Sequence, residues 1–451
     1  MQGTGSRATL WSWRSVIVVA VALAALLLIE RWQSAPIQRE QPEQQPLARA
    51  GVAGTYSQAL AQTDLAIANA EAQVAAADDQ WLLHESVARN YVERARLTGN
   101  YEDYAAADAA LTRAFAVAAP GTGPHLVRAQ FDFRMHRLAE AERQLALIEG
   151  YAIPSPPDER AEILAMRGDI GFYRGNLAAA LQLYLEADRL SPGTATFRRA
   201  IHAMKTGDFE RAETYFDQTE QEARVLAPQL QAFIDLQRGL LDLERGNWPS
   251  AENWFRKADR TFPGYWLTQA HLVQMWALRG KVEQAEQGYR KIIAHSEQPE
   301  VMDALAALYR SQGDAEASRQ WAERSGAIWA KRLQQFPQAA SAHALEHELV
   351  LGNPATALAL ARQNMAARPY GDSATLLAWA LMANNRPAEA RDVLERLGRT
   401  PWRSAQQYAA LSQAYAMLGN SDRSDAARDA ALAINPRAFD PAASLIWFGH
   451  H

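Results

Sequence analysis

The residues that come closest to a catalytic pattern in this sequence are His343, Glu346 and His347, which form an H-x-x-E-H string. One class of zinc peptidases uses this spacing, because two histidines four residues apart share a helix face and can hold a metal while the glutamate moves a proton. A zinc site needs a further protein ligand, and no motif in the sequence indicates which residue would supply it. We therefore predict no enzymatic activity and no cofactor, and keep a metal-dependent site or hydrolase at His343 and His347 as the alternative.

The sequence lacks the motifs of several other kinds of chemistry. It contains no cysteine, which excludes disulfides, thiolate zinc sites and cysteine nucleophiles. Gly280-Lys281 has neither the upstream glycine nor the following Ser or Thr of a phosphate-binding loop. With 46 basic against 51 acidic residues and a formal net charge of −5, the chain has no basic footprint. We therefore predict no nucleic-acid partner.

A pattern of Gly, Ala and aromatic residues recurs about every 34 residues, which is a period typical of stacked two-helix repeats. Its two complete copies occupy residues 161–192 and 232–263. The shared positions are Gly168, Gly175, Ala180, Tyr184, Ala187 and Pro192 in the first copy, and Gly239, Gly246, Ala251, Phe255, Ala258 and Pro263 in the second. Two helices that cannot bury their apolar faces alone do so by stacking on neighbours, so the period predicts a solenoid.

Glycine or asparagine marks the end of each first helix, where a left-handed residue can close it. These residues are Gly175, Gly207, Gly246, Gly280, Gly313, Gly352, Asn385 and Gly419. Two longer steps predict a loop near residues 220–228 and a lengthened second helix near 325–337. In the frame set by Gly352, His343 and His347 belong to a first helix and face the preceding unit, which favours packing over metal binding.

The combined pattern resembles the tetratricopeptide repeat (TPR) superfamily over residues 81–437. The resemblance implies an all-α fold, a right-handed α-solenoid of about ten TPR-like helix-turn-helix repeats. It also implies a concave surface, lined by the first helices, that binds protein partners. An alanine-rich helix over 56–76, within residues 55–80, is expected to cap the stack.

The family's inner-face positions define a predicted partner-binding groove that is more apolar than charged. Its residues are Phe172, Tyr173, Phe197, Met204, Lys205, Phe233, Leu236, Leu240, Gln274, Trp379, Met382, Gln413 and Met417. Each of them is alternatively core between repeats. Only Lys205 stands where a carboxylate clamp would need a cation, so the groove suits a helix or an extended apolar segment of a partner.

The N-terminal sequence predicts a membrane anchor. Residues 15–29 carry no charge, and Trp13 and Trp32 flank them as interfacial indoles do. We predict a short tail over 1–14, an uncleaved transmembrane signal anchor over 15–32 and a flexible linker over 33–54, with a cleaved signal peptide as the alternative. The expected location is the bacterial inner membrane, single-pass, with the bulk of the chain periplasmic.

These features together predict a membrane-anchored TPR scaffold or adaptor that assembles or stabilises an envelope protein complex. A tail over 438–451 follows the solenoid, and its Ile446, Trp447 and Phe448 are expected to dock on the last helices or on a partner. The further alternative is an exported protein that binds polysaccharide or peptidoglycan, encouraged by 13 tryptophans and 14 tyrosines.

Overall fold

The computed structural model describes residues 52–222 and 226–448, and within them it is all-helical, with no strand. The predicted membrane anchor at 15–32 and most of the linker lie outside the described residues. No helix among the described residues is long and apolar enough to cross a membrane. The helices are α1 Tyr56–Ala76, α2 Trp81–Thr98, α3 Tyr101–Val117, α4 His125–Arg134, α5 Leu138–Glu149, α6 Pro157–Tyr173, α7 Leu177–Leu190, α8 Thr196–Lys205, α9 Phe209–Glu222, α10 Pro228–Glu244, α11 Trp248–Thr261, α12 Trp266–Leu278, α13 Val282–His295, α14 Pro299–Ser311, α15 Ala315–Gln335, α16 Pro337–Val350, α17 Pro354–Ala367, α18 Gly371–Ala383, α19 Pro387–Leu397, α20 Ala405–Met417, α21 Ser421–Ile434 and a short 3-10 helix at Pro441–Leu445.

Consecutive helices from α2 onward pair into ten helix hairpins, as a TPR-like α-solenoid requires. We number these hairpins as units 1 to 10, so that unit 1 is α2 with α3 and unit 10 is α20 with α21. The helix α1 precedes them and packs on α2. In unit 7 the second helix, α15, has 21 residues and is the lengthened helix predicted from the sequence.

The glycines inside the first helices make room for an aromatic ring from the second helix of the same unit. A Cβ at Gly168 would overlap the ring of Tyr184, and one at Gly239 would overlap the ring of Phe255. Both rings are at most 2% exposed. A glycine within a helix costs about 1 kcal/mol relative to alanine, which the buried ring offsets.

Most of the predicted helix-ending residues adopt the left-handed conformation. Gly175, Gly246 and Gly280 have φ values of 77°, 77° and 70°, and Asn385 has a φ of 55°. The prediction is wrong for Gly352, which does not have a positive φ. There α16 ends at Val350, and the side chain of Asn353 caps the next helix by accepting hydrogen bonds from its backbone N–H groups.

The second half of the array packs against the first half, so that the chain closes on itself. A junction is the stretch between the second helix of one unit and the first helix of the next. The turn between the two helices of each of units 1 to 5 contacts a junction that lies about five units further along the chain. We call this contact the seam. On the first-half side it contains residues 97–101, His136, 173–175, 205–207 and 243–246. On the other side it contains Trp266, Gln298, Arg332, Phe336, 368–370, Trp402, Arg403 and Asn435.

Backbone carbonyls at the turns accept many of the hydrogen bonds that cross the seam. The Trp266 indole N–H donates to the Leu97 carbonyl over 3.1 Å, and the Arg332 guanidinium donates to the Gly99 carbonyl over 3.1 Å. The backbone N–H of Arg403 donates to the Lys205 carbonyl over 3.0 Å. Residues far apart in the sequence therefore hold the two halves together.

The turn glycines fall into two groups according to what lies against them. A Cβ at Gly175 would lie 2.5 Å from the Pro369 carbonyl oxygen, and one at Gly246 would overlap the Asn435 side chain. A Cβ at Gly280 or Gly313 would have nothing within 4 Å. The first-half glycines are therefore needed for close approach as well as for backbone conformation.

We predict that Gly175→Ala destabilises the protein more than Gly280→Ala, although both positions have nearly the same φ. The left-handed conformation costs either alanine about 1–2 kcal/mol. Only Gly175→Ala must also displace the Pro369 carbonyl, for a further loss of about 1–3 kcal/mol. Urea unfolding measures which variant loses more stability. Faster hydrogen exchange of the amides within residues 368–371 in Gly175→Ala, and not in Gly280→Ala, would locate the loss at this turn. Equal losses in the two variants would contradict the seam at this turn.

Candidate partner-binding surface and the histidine string

The histidine string lies on α16, the first helix of unit 8, and its second histidine is buried against unit 7. His347 is 6% exposed, and its Nδ1 lies 2.8 Å from Oδ1 of Asp303 on α14. The hydroxyl of Ser325 also donates to Oδ1 of Asp303, and the indole N–H of Trp329 donates to Oδ2 over 2.8 Å. His347 therefore takes part in a buried polar network between two units.

His343 and Glu346 have a different environment from His347. Nδ1 of His343 lies 3.4 Å from Oε2 of Glu346, and the His343 ring stacks on Trp329 with 5.8 Å between centroids. The two histidines therefore contact different carboxylates. Among residues 52–222 and 226–448, no group of three or more His, Asp or Glu side chains is placed to hold a metal ion.

Ser325, His347 and Asp303 do not have the geometry of a hydrolase triad. In a triad the serine and the aspartate contact opposite nitrogens of the histidine, so that the ring can pass a proton between them. Here Ser325 Oγ at 3.4 Å and Asp303 Oδ1 at 2.8 Å face the same nitrogen, Nδ1. Ser325 is fully buried, so no substrate reaches its hydroxyl.

The pKa values of this network follow from burial and from the pairing of His347 with Asp303. Burial lowers the pKa of His347, but its hydrogen bond and charge attraction to Asp303 outweigh burial, and the net pKa is raised. Burial raises the pKa of Asp303 despite its hydrogen bonds from His347, Ser325 and Trp329. The folded chain thus binds protons at this site more tightly than the unfolded chain does.

We predict that this network makes the protein less stable as the pH rises. Because the folded pKa of His347 is raised, its contribution to stability is complete below the unfolded pKa of about 6.5 and is lost as the pH rises through the folded value. The double variant Asp303→Asn, His347→Gln lacks both titrating groups. The free energy of unfolding of the wild type, relative to this variant, should be larger at pH 6 than at pH 8.5. A difference that is independent of pH would disprove the assignment.

The structure buries most of the predicted groove residues, leaves some partly exposed, and exposes two. Phe172, Phe197, Met204, Leu236, Leu240, Gln274 and Met382 are less than 10% exposed. Tyr173, Lys205, Phe233 and Trp379 are partly buried, and Gln413 and Met417 are exposed. The role of these residues in partner binding stays a prediction.

Several predicted groove residues of units 3 and 4 lie in the seam or beside it. The Tyr173 ring lies 5.0 Å from that of Tyr370, and the Phe172 ring lies 6.0 Å from that of Trp402. The structure thus brings Phe172 and Tyr173 together with residues of units 8 and 9. In this conformation the chain itself covers this part of the predicted groove.

Lys205, the one predicted cation of the groove, already has two carboxylate partners. Its Nζ lies 2.6 Å from Oε1 of Glu244 and 3.5 Å from Oδ2 of Asp372, and 5.7 Å from the Trp402 ring centroid. Burial opposes the charged form, but Asp372 and Glu244 outweigh it and raise the pKa of Lys205. Its charge therefore stabilises the seam.

The residues that sequence reasoning missed are those on the second-half side of the seam. Phe336 is 3% exposed and lies among the rings of Tyr101, Tyr104 and Phe131. Trp402 is 1% exposed. A signal was present in the sequence, because Phe336-Pro337, Pro369-Tyr370 and Pro401-Trp402 place an aromatic beside a proline after a second helix.

Comparison with known proteins finds similarity to solved structures. No protein-family model and no curated protein matches the sequence. A tetratricopeptide repeat protein from Parabacteroides merdae is 12% identical, with 57% of this chain and 99% of that chain covered and a TM-score of 0.33. The P58(IPK) TPR domain is 16% identical, with 86% and 96% covered and a TM-score of 0.28. Human IFIT1, solved as a dimer with m7Gppp-AAAA, is 13% identical, with 78% and 90% covered and a TM-score of 0.39.

The ten helix hairpins of this chain, with the close contacts between helix glycines and aromatic rings, make its fold TPR-like.

Proposed function

We propose that this protein is a membrane-anchored TPR scaffold that holds a protein complex together on the periplasmic side of a bacterial inner membrane. The observation that carries the proposal is the array of ten stacked helix hairpins, an architecture that presents an extended surface to other proteins. The anchor part of the proposal rests on the uncharged segment 15–29 and the tryptophans on either side of it.

The contacts made by the polar groups also favour a scaffold over an enzyme. His347 of unit 8 binds Asp303 of unit 7, and Lys205 of unit 4 binds Glu244 of unit 5. These groups therefore have structural partners. The large aromatics are similarly occupied, since Trp248, Trp266, Trp329 and Trp402 are all less than 10% exposed. That burial removes four tryptophans from the set that could stack on a sugar.

The most exposed of the predicted groove residues lie on the first helix of unit 10. Gln413 and Met417 on α20 are exposed, and they are four residues apart, on one face of the helix. Met417 is 41% exposed, and Leu418 beside it is 38% exposed. Exposed apolar residues that lie together mark interaction sites in soluble domains. We therefore place the partner contact of the scaffold here.

We predict that a photo-crosslinking amino acid at Met417 captures a defined protein in membranes from cells that make the full chain. The matched control is the same amino acid at Leu147 on α5, which is 53% exposed but lies on a second helix. The scaffold should give adducts of fixed mass at Met417 and none at Leu147, and the chain should stay in the membrane fraction after carbonate extraction.

Two outcomes would count against the proposal separately. If Met417 gives no more protein adducts than Leu147, the proposed partner contact on α20 is wrong. If carbonate releases the full-length chain from the membrane fraction, the proposed membrane anchor is wrong. The crosslinks at Met417 then test the scaffold function by themselves.

A further inference from the structure

The segment that follows unit 10 does not stay on the last helices. The 3-10 helix Pro441–Leu445 packs on α12 and α14, which are the first helices of units 6 and 7. Phe448 is fully buried, with its ring 5.7 Å from that of His271 and 6.5 Å from that of Tyr289. The expected docking on the last helices is thus replaced by docking near the middle of the array.

Gln274 on α12 binds the backbone of this segment. Its Oε1 accepts hydrogen bonds from the N–H groups of Trp447, over 2.7 Å, and Phe448, over 2.9 Å. Two donors on one atom identify that atom as the amide oxygen. Because every residue except proline offers a backbone N–H, this contact recognises an extended polypeptide and not a particular sequence. Selectivity for a side chain comes from the pocket beside His271 and Tyr289, which receives the Phe448 ring.

The site is not fully satisfied by the segment that occupies it. Nε2 of Gln274 is buried and has no hydrogen-bond partner among the residues the structure describes. A buried amide without an acceptor destabilises the state that contains it. A ligand that placed a backbone carbonyl at this nitrogen would satisfy it, so a better ligand than the resident segment is chemically available.

The chemistry of the resident segment indicates what such a ligand is. Residues 441–448 carry no charge and end in Ile446, Trp447 and Phe448. Leu445, Ile446 and Trp447 are only partly buried where they pack on the apolar cluster of units 5 to 7. The matching partner is an extended, uncharged polypeptide segment with neighbouring aromatic residues.

We propose that the surface around Gln274 is a peptide-binding site, occupied by the chain's own residues 441–448 until an aromatic segment of a partner protein displaces them. This inference rests on the proposed scaffold function, since it assigns the partner a protein chain. The resident segment is tethered, with an effective concentration on the order of millimolar, so a weak ligand does not displace it. The site is therefore selective for partners that bind better than the chain's own segment.

The test uses the full chain and a fluorescent, C-terminally amidated peptide with the sequence of residues 441–448. Phe448→Ala weakens the binding of the resident segment to the site and leaves α12 unchanged. The peptide should therefore bind the Phe448→Ala chain at least tenfold more tightly than it binds the wild type. Adding Gln274→Leu, which keeps the size of the side chain but removes the acceptor, should weaken binding at least tenfold again. Fluorescence anisotropy measures both changes. Equal binding to the wild type and Phe448→Ala, or no loss with Gln274→Leu, would overturn the proposal.

Hydrogen exchange on the wild-type chain keeps the test valid if a variant does not fold. Peptide at a concentration well above the effective concentration of the tethered segment, on the order of millimolar, should speed exchange of the Trp447 and Phe448 amides, and a peptide with Phe448→Ala should not. Unchanged exchange with both peptides at that concentration overturns the proposal. The Met417 crosslinks separate this inference from the scaffold function. Adducts at Met417 without peptide binding refute only the Gln274 site, whereas peptide binding without any captured protein counts against the scaffold.

Discussion

The seam between the two halves of the array is the constraint on which the other features of this structure depend. A stack of helix hairpins buries its apolar faces between neighbours and has no intrinsic need to close. In this chain the turns of the first five units and the junctions of the last five contact each other. Turn carbonyls at Leu97, Gly99 and Lys205 accept hydrogen bonds from residues more than 160 positions later. Closure therefore covers Phe172 and Tyr173, two of the predicted inner-face residues.

Buried cations stabilise the seam because each has several acceptors. Arg332 donates to the Gly99 carbonyl and to Oε1 of Gln298, each over 3.1 Å, and pairs with Glu300 over 3.1 Å. Arg368 donates to Nε2 of His136 over 2.8 Å. Burial, and then the charge of Arg368, hold the pKa of His136 well below its usual value, so the ring stays neutral and can accept. A buried cation without such partners would strongly destabilise the fold.

The sequence predicts the repeats well because they are local. Gly168 and Tyr184, or Gly239 and Phe255, lie within one unit, so their contact repeats with the period of the helices. Closure is not local, and nothing in the spacing of Phe336 or Trp402 indicates which distant turn each contacts.

The candidate site shows the same division between local and distant contacts. Gln274 was predicted in the groove from its position on a first helix, but its ligand, residues 447–448, comes from the far end of the described chain. Lys205 was predicted in the groove from its position on a first helix, and the carboxylates that it contacts belong to units 5 and 9.

Closure of the array can be measured directly because the chain contains no cysteine. A Cβ at Gly207 would lie 3.1 Å from Cβ of Arg403, near the disulfide value of about 3.8 Å, whereas one at Gly313 would have nothing within 4 Å. The account predicts that the full chain with Gly207→Cys and Arg403→Cys forms an intramolecular disulfide under mild oxidation, detected by mobility and mass. The pair Gly313→Cys and Arg403→Cys should remain reduced. If the first pair stays as reduced as the second, the two halves of the array do not meet and the account is wrong.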